Sequence, residues 1–158
     1  MGRSIRRLIL HKDFLDFLRQ LNVHSVRYLI VGGYAVAVHG HPRYTGDLDV
    51  FVDPTAENAR ALVAACRAFG FDLPDLVPEL FTGRDNVVRL GVEPVRLEVI
   101  TSISGVEFTE AYPRRLEVPL GGVVVSFISY EDLIKNKLAS GREKDRVDVQ
   151  ALQQRGRT

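Results

Sequence analysis

One cysteine, Cys66, stands in a chain of 158 residues, which excludes an intrachain disulfide framework and fits a reducing, cytoplasmic setting. It lies in the helix-like run ARALVAACRAFG, where a thiol packs as an inert hydrophobe. An excess of either charge is missing as well, with 21 Lys plus Arg against 20 Asp plus Glu. The balance excludes a bulk basic charge that demands nucleic acid, but not a local basic groove. No apolar run approaches the roughly 20 residues that span a bilayer, so no membrane role is expected. The start MGRSIRRLIL is basic and then apolar, but its apolar part is short and Asp13 and Asp16 follow too soon for a secretory leader. Repeats are absent, and nothing marks a second domain. The length suits a single domain over residues 1–158, with a real core.

Apolar periodicity supplies the elements. Leu8 to Leu21 reads as an amphipathic helix that packs on a sheet, with Lys12, Asp13, Asp16 and Arg19 on its wet side. Thr55 or Asp53 caps a helix from Ala56 to Phe69, which Gly70 closes. FDLPDLVPEL, with two prolines, reads as a loop. Strands at Val87–Leu90 and Val95–Ile100 form a hairpin across the turn Gly91-Val92-Glu93-Pro94. A weak helical turn is expected within Gly105–Pro113. Gly121-Gly122 joins strands Leu116–Leu120 and Val123–Ile128 in a second hairpin. Ser129, with Asp132 three residues on, caps a helix from Tyr130 to Ala139 with Leu133, Ile134 and Leu138 inward. A last helix, Arg142–Gln153, offers Val147, Val149 and Leu152 for packing, and the tail Arg155–Thr158 frays.

The chain is organised around YLIVGGYAVAVHGHPRYTGDLDVFV, Tyr28 to Val52. A strand over Val26–Val31 ends at Gly32-Gly33, where the backbone can approach something bulky. A short helix runs to Val38. His39 and His41 flank a glycine in a loop, where hydrogen bonding or solvent is a commoner fate than metal ligation. Arg43-x-Thr45-x-Asp47-x-Asp49 then merges into Val50-Phe51-Val52, a strand over Asp47–Val52. Alternate strand residues share a face, so Asp47 and Asp49 point the same way. Adjacent carboxylates repel unless they are solvated, one is protonated, or a divalent cation lies between them. Beside a double glycine and β-forming flanks, the cation is the best of these readings. In Val95-Arg96-Leu97-Glu98-Val99 the apolar residues share one face, and Arg96 and Glu98 share the other. Glu98 is thus either a third carboxylate or the ion-pair partner of Arg96 or Arg89.

GGYAVAVHGHPRYTGDLDV resembles the active-site segment of nucleotidyltransferases of the DNA polymerase β superfamily, in particular small bacterial members of the abortive-infection and toxin type. The likeness covers Val26–Val52 and returns near Glu98 and over Lys137–Leu152. It implies an α/β fold of the α+β type, with a mixed, mainly antiparallel sheet flanked by helices. It also implies transfer of a nucleoside monophosphate from an NTP to a hydroxyl acceptor on RNA, protein or a small molecule, with a possible toxin–antitoxin link. Asp47, Asp49 and Glu98 would hold two Mg²⁺ ions, hard cations that prefer oxygen ligands. The amides at Gly32 and Gly33 would cradle phosphates, Arg43 would neutralise them, and Thr45 would orient Asp47 or a phosphate. Many relatives carry serine where this chain has Gly33, and most carry aspartate where it has Glu98. Lys137, at the edge of an apolar helix face, would lift its ammonium toward the nucleotide. Lys144 and Asp148, four apart, read as an exposed pair. The chain has no room for a large acceptor-binding domain, so the acceptor would use a shallow face, a partner protein or a second copy. The alternative is a non-catalytic nucleotide- or partner-binding module of antitoxin type. A third reading makes Asp47-x-Asp49 only a solvated strand end.

Overall fold

The computed structural model describes residues 8, 10–92 and 94–155. Of the tail expected to fray, Arg155 ends the last helix, and residues 156–158, with Glu93 and the basic start of the chain, lie outside the described residues.

The helix α1 (Lys12–Val23) buries Phe14, Phe17, Leu18 and Leu21, one face at helical spacing. It starts later than the apolar pattern suggested because His11 caps it, its Nδ1 accepting from the Asp13 amide at 3.0 Å. The strand β1 (Tyr28–Val31) is buried at all four residues. It leads without a loop into the helix α2 (Gly32–Val38), since Gly32 adopts φ +68°, a left-handed turn that a β-carbon would oppose. The strand β2 (Leu48–Val52) starts one residue later than expected, so Asp47 stands just outside it. Helix α3 (Ala56–Phe69) has the expected bounds, with Thr55 Oγ1 accepting from the Asn58 amide and Gly70 as its C-cap. Phe17 of α1 meets Phe69 of α3 edge-on, ring centroids 5.5 Å apart. Cys66 is fully buried on α3, and burial pushes its thiol up to about 12, which keeps it inert.

After a loop with a 3-10 turn at Pro78–Phe81 come β3 (Val87–Val92) and β4 (Val95–Ile100), paired as an antiparallel hairpin. A short α4 (Phe108–Ala111) supplies the expected helical turn. The second hairpin, β5 (Leu116–Leu120) and β6 (Val123–Phe127), follows. The chain closes with α5 (Tyr130–Ser140) and α6 (Glu143–Arg155). The six strands form one mixed sheet in the order β3-β4-β2-β1-β6-β5. Three neighbouring pairs are antiparallel and two, β1 with β6 and β2 with β4, are parallel.

Alternation across β2 and β4 sets up the site. Leu48, Val50, Val52, Leu97 and Val99 are buried on one face. Asp49, Phe51 and Glu98 belong to the other. On that face Phe108 of α4 packs edge-on against Phe51, centroids 5.2 Å apart, whereas Asp49, two residues earlier, lines an open cleft.

Two apolar residues do not point where their periodicity suggested. Leu138 is 59% exposed and Val147 is 54% exposed. The inner faces of α5 and α6 instead carry Asp132, Lys137, Asp145 and Asp148, all buried. Ion pairs offset the cost of that burial, Lys137 joining Asp145 and Asp148 across the two helices and Asp132 taking Arg114, which precedes β5.

Candidate active site

A cleft of about 760 Å³ opens beside the acids, and Gly32, Gly33, Arg43, Thr45, Asp47, Asp49, Glu98 and Lys137 all line it. Asp49 of β2 is the direct register partner of Glu98 on β4, so their side chains leave the sheet side by side. Asp47 lies one alternate position before Asp49.

The three acids have different neighbours. Asp47 accepts a bond from Arg96 Nε at 2.8 Å, and Glu98 accepts one from Arg89 Nε at 3.1 Å. Both arginines are substantially exposed, 40% for the Arg96 side chain and 71% for that of Arg89. Asp49 is pushed up to about 7, by burial first and then by the charges of Glu98 and Asp47. Such a cluster attracts a cation, and its oxygen donors match a hard divalent ion. Among the described residues no three His, Cys, Asp or Glu side chains are disposed, as they stand, to hold a metal. Asp47 and Glu98 would first have to leave Arg96 and Arg89, which the exposure of both arginines permits.

The glycine turn meets the acid-bearing segment without space to spare. A β-carbon at Gly32 would run into Asp49 Oδ2, and one at Gly33 into Thr45 Oγ1, with Thr45 Cβ 2.6 Å away. The Thr45 hydroxyl therefore occupies the room that a side chain at position 33 would take. Gly33→Ala is expected to cost about 1–3 kcal/mol by overpacking. Pairing it with Thr45→Ala should recover part of the loss. Urea melts of the four proteins of that cycle check the coupling, and strictly additive losses would mean that the two positions do not compete for space.

Arg43 and Lys137 reach the cleft, but buried acids engage both. The Arg43 fork donates from Nε and Nη2 to Asp148 Oδ1 and Oδ2, each at 2.9 Å. Its Nη1 donates to the Tyr44 carbonyl at 3.2 Å. Lys137 Nζ lies 3.2 Å from Asp145 Oδ1 and 3.0 Å from Asp148 Oδ2. Arg142 Nε adds a 2.9 Å bond to Asp145. Burial alone would raise these two aspartates, but hydrogen bonds from Arg142, Ser140 and Lys137 hold Asp145 at about 2. Bonds from Arg43 and Lys137 likewise hold Asp148 below the usual carboxylate range. The expected exposed Lys144–Asp148 pair does not form, because Asp148 is 2% exposed and turned toward Arg43 and Lys137.

Asp145 carried no expected role, Asp148 was expected in an exposed pair and Arg96 beside Glu98, whereas Asp145 and Asp148 are buried partners of Lys137 and Arg96 holds Asp47. A signal for the two aspartates was present. Asp145, Asp148, Val149 and Leu152 are the buried residues of α6, at spacings of three, four and seven, so both acids fall on the helix's apolar stripe. Acids on such a stripe call for buried cations. The histidines play no part in the acid cluster. His39 is buried at the end of α2, and its Nε2 donates to the Ile128 carbonyl at 2.7 Å.

With this geometry in view, comparison with known proteins gives three findings. Residues 9–157 match the family model described as "Nucleotidyltransferase of unknown function (DUF6036)". No curated protein matches the chain. Among solved structures, a candidate nucleotidyltransferase from Thermotoga maritima (TM1012) has a TM-score of 0.60 at 17% identity, covering 96% of this chain and 100% of that one. The lincosamide antibiotic adenylyltransferase LnuA, solved with lincomycin bound, has a TM-score of 0.56 at 18% identity, covering 92% and 97%. An antigenic nucleotidyltransferase-like protein from Paracoccidioides brasiliensis has a TM-score of 0.54 at 18% identity, covering 92% and 78%. At these identities the likeness establishes the fold.

Proposed function

The chain belongs to the family of nucleotidyltransferases of unknown function, DUF6036, and from that premise we propose that it is a Mg²⁺-dependent enzyme acting as one domain. It would move a nucleoside monophosphate from an NTP to a hydroxyl on RNA, a protein or a small molecule. The observation that carries the reading is the side-by-side placement of Asp49 and Glu98 on β2 and β4, with Asp47 beside them and the glycine turn against Asp49. In the reaction the acceptor hydroxyl gives up its proton to solvent as its oxygen bonds to the α-phosphorus, the bond from that phosphorus to the bridging oxygen of the β-phosphate breaks, and pyrophosphate leaves. Asp47, Asp49 and Glu98 would hold two Mg²⁺ ions, which supply the positive charge that both the attacking and the leaving oxygen need.

The chain's own residues prepare this. The tight turn at Gly32-Gly33 keeps side chains out of the path of the triphosphate, and the Thr45 hydroxyl and Arg43 Nη1 stand beside it. Asp148 fixes Arg43 by two bonds, so the guanidinium meets the substrate already oriented. Lys137 neutralises the acids behind it, and its charge also offsets part of the repulsion on Asp49.

One observation favours a second reading, a non-catalytic nucleotide-binding or partner-binding module. Arg96 and Arg89 hold two of the three acids. Pyrophosphate release separates the two readings when the protein is incubated with each NTP and Mg²⁺ in the presence of cell RNA, protein extract or small hydroxyl compounds. Release that depends on the acceptor supports the enzyme, whereas NTP binding without release supports the module.

A further inference from the structure

The cations lining the cleft are not equivalent. Arg43 is bound to Asp148, Arg96 to Asp47, Lys137 to Asp145 and Asp148, and Arg142 to Asp145. Lys144 also lines the cleft and is exposed, yet it has no ion-pair partner among the described residues. Its charge reaches the acid cluster, where it offsets part of the repulsion that Glu98 and Asp47 exert on Asp49.

Its place on the helix is unfavourable by itself. Lys144 is the second residue of α6, where the helix dipole disfavours a cation. The residues on either side, Glu143 and Asp145, are the acids that a first turn prefers. Asp145 is buried and tied to Lys137 and Arg142, so the backbone that carries Lys144 is fixed. An exposed side chain on a fixed base, lining the open cleft with its positive charge added to that of a helix start, suits an anion that arrives from solvent.

We propose that Lys144 takes a phosphate group of the incoming triphosphate as the principal anion-binding residue of the cleft, beside the Arg43 guanidinium that Asp148 orients, while Lys137 chiefly holds α6 in place. The assignment rests on the nucleotidyltransferase reading and goes beyond it, because it moves the main phosphate contact to a residue whose sequence signature is a surface ion pair.

Titration calorimetry on the full chain tests it, with Ca²⁺ in place of Mg²⁺ to prevent turnover. The probes are the four common NTPs, inorganic tripolyphosphate, which carries the phosphates without a base, and adenosine, which carries the base without phosphates. Lys144→Ala is expected to weaken both tripolyphosphate and NTP binding about tenfold at low salt, about 1.4 kcal/mol. The difference should shrink as salt screens the charge. Lys144→Arg should stay within about threefold of wild type. Any adenosine affinity should not change, and the unfolding midpoint should move little, because the unfavourable helix-start position and the attraction to the acid cluster oppose one another on an exposed side chain. Wild-type affinity for tripolyphosphate in Lys144→Ala at low salt would overturn the assignment and leave the nucleotidyltransferase reading standing. A wild type that binds none of the four NTPs would overturn that reading and the assignment with it.

Discussion

Asp49→Asn is expected to give a folded protein whose nucleotidyl transfer falls by at least about a thousandfold, equivalent to about 4 kcal/mol of barrier. The substitution is nearly isosteric, so the shape of the cleft survives, but a hard anionic ligand is lost from the middle of the acid cluster. Stability should move the other way. Folding raises Asp49 from 3.8 to about 7 through burial and the charges of Glu98 and Asp47. Between those two values the folded chain binds the proton more tightly than the unfolded chain, so wild-type stability falls as pH rises and levels off above about 7. The asparagine variant carries no such penalty. In EDTA its melting temperature should exceed that of wild type by several degrees at pH 8, with the gap closing toward pH 4. A variant that matches the wild type in transfer rate would remove Asp49 from the chemistry. A gap that does not vary with pH would mean that Asp49 carries no such penalty.

Lys137→Ala should be the most destabilising single change near the cleft, about 3–5 kcal/mol. The Lys137 side chain is 5% exposed and touches Asp145 and Asp148, whose side chains are 1% and 2% exposed. Removing the ammonium leaves two buried carboxylates short of positive charge, and Asp148 is also the anchor of Arg43. The damage should therefore spread from α6 to the loop that carries Thr45. Chemical denaturation quantifies the loss, and hydrogen exchange locates it. A fall in nucleotide affinity with unchanged stability would make Lys137 a ligand contact and not a buried tie between helices.

Much of this architecture could be read from the chain because its signals are local. Thr55 and Ser129 cap their helices through bonds three residues away, and Gly121-Gly122 marks the β5–β6 hairpin, whereas β3 runs on through Gly91 and Val92, where a turn was expected. The Asp47-x-Asp49 alternation and the Val95–Val99 pattern place three acids on one sheet face, and only the register of β2 with β4 had to be supplied by the fold. The buried ion network could not be read in the same way. Asp148 and Arg43 are 105 residues apart, and the pairing rests on how α6 lies against the loop before β2. Leu138 and Val147 misled for a related reason. Hydrophobicity marks the buried stripe only when nothing polar has a partner inside, and here Lys137 and Asp148 have one another. For the same reason the lysine next to the apolar residues, Lys137, is the one engaged by buried acids, while Lys144 stays exposed at the cleft.

Transfer of the α-phosphate together with its nucleoside is the step proposed for this cleft. Parallel incubations with an NTP labelled at the α-phosphorus or at the γ-phosphorus, in Mg²⁺ and with the same acceptor pool, test it most directly. Expected are α-label fixed on the acceptor, γ-label released as pyrophosphate, and neither outcome with Asp49→Asn. Label transferred from the γ-position, or an α-label that never leaves the nucleotide across all four NTPs and every acceptor class, would contradict it.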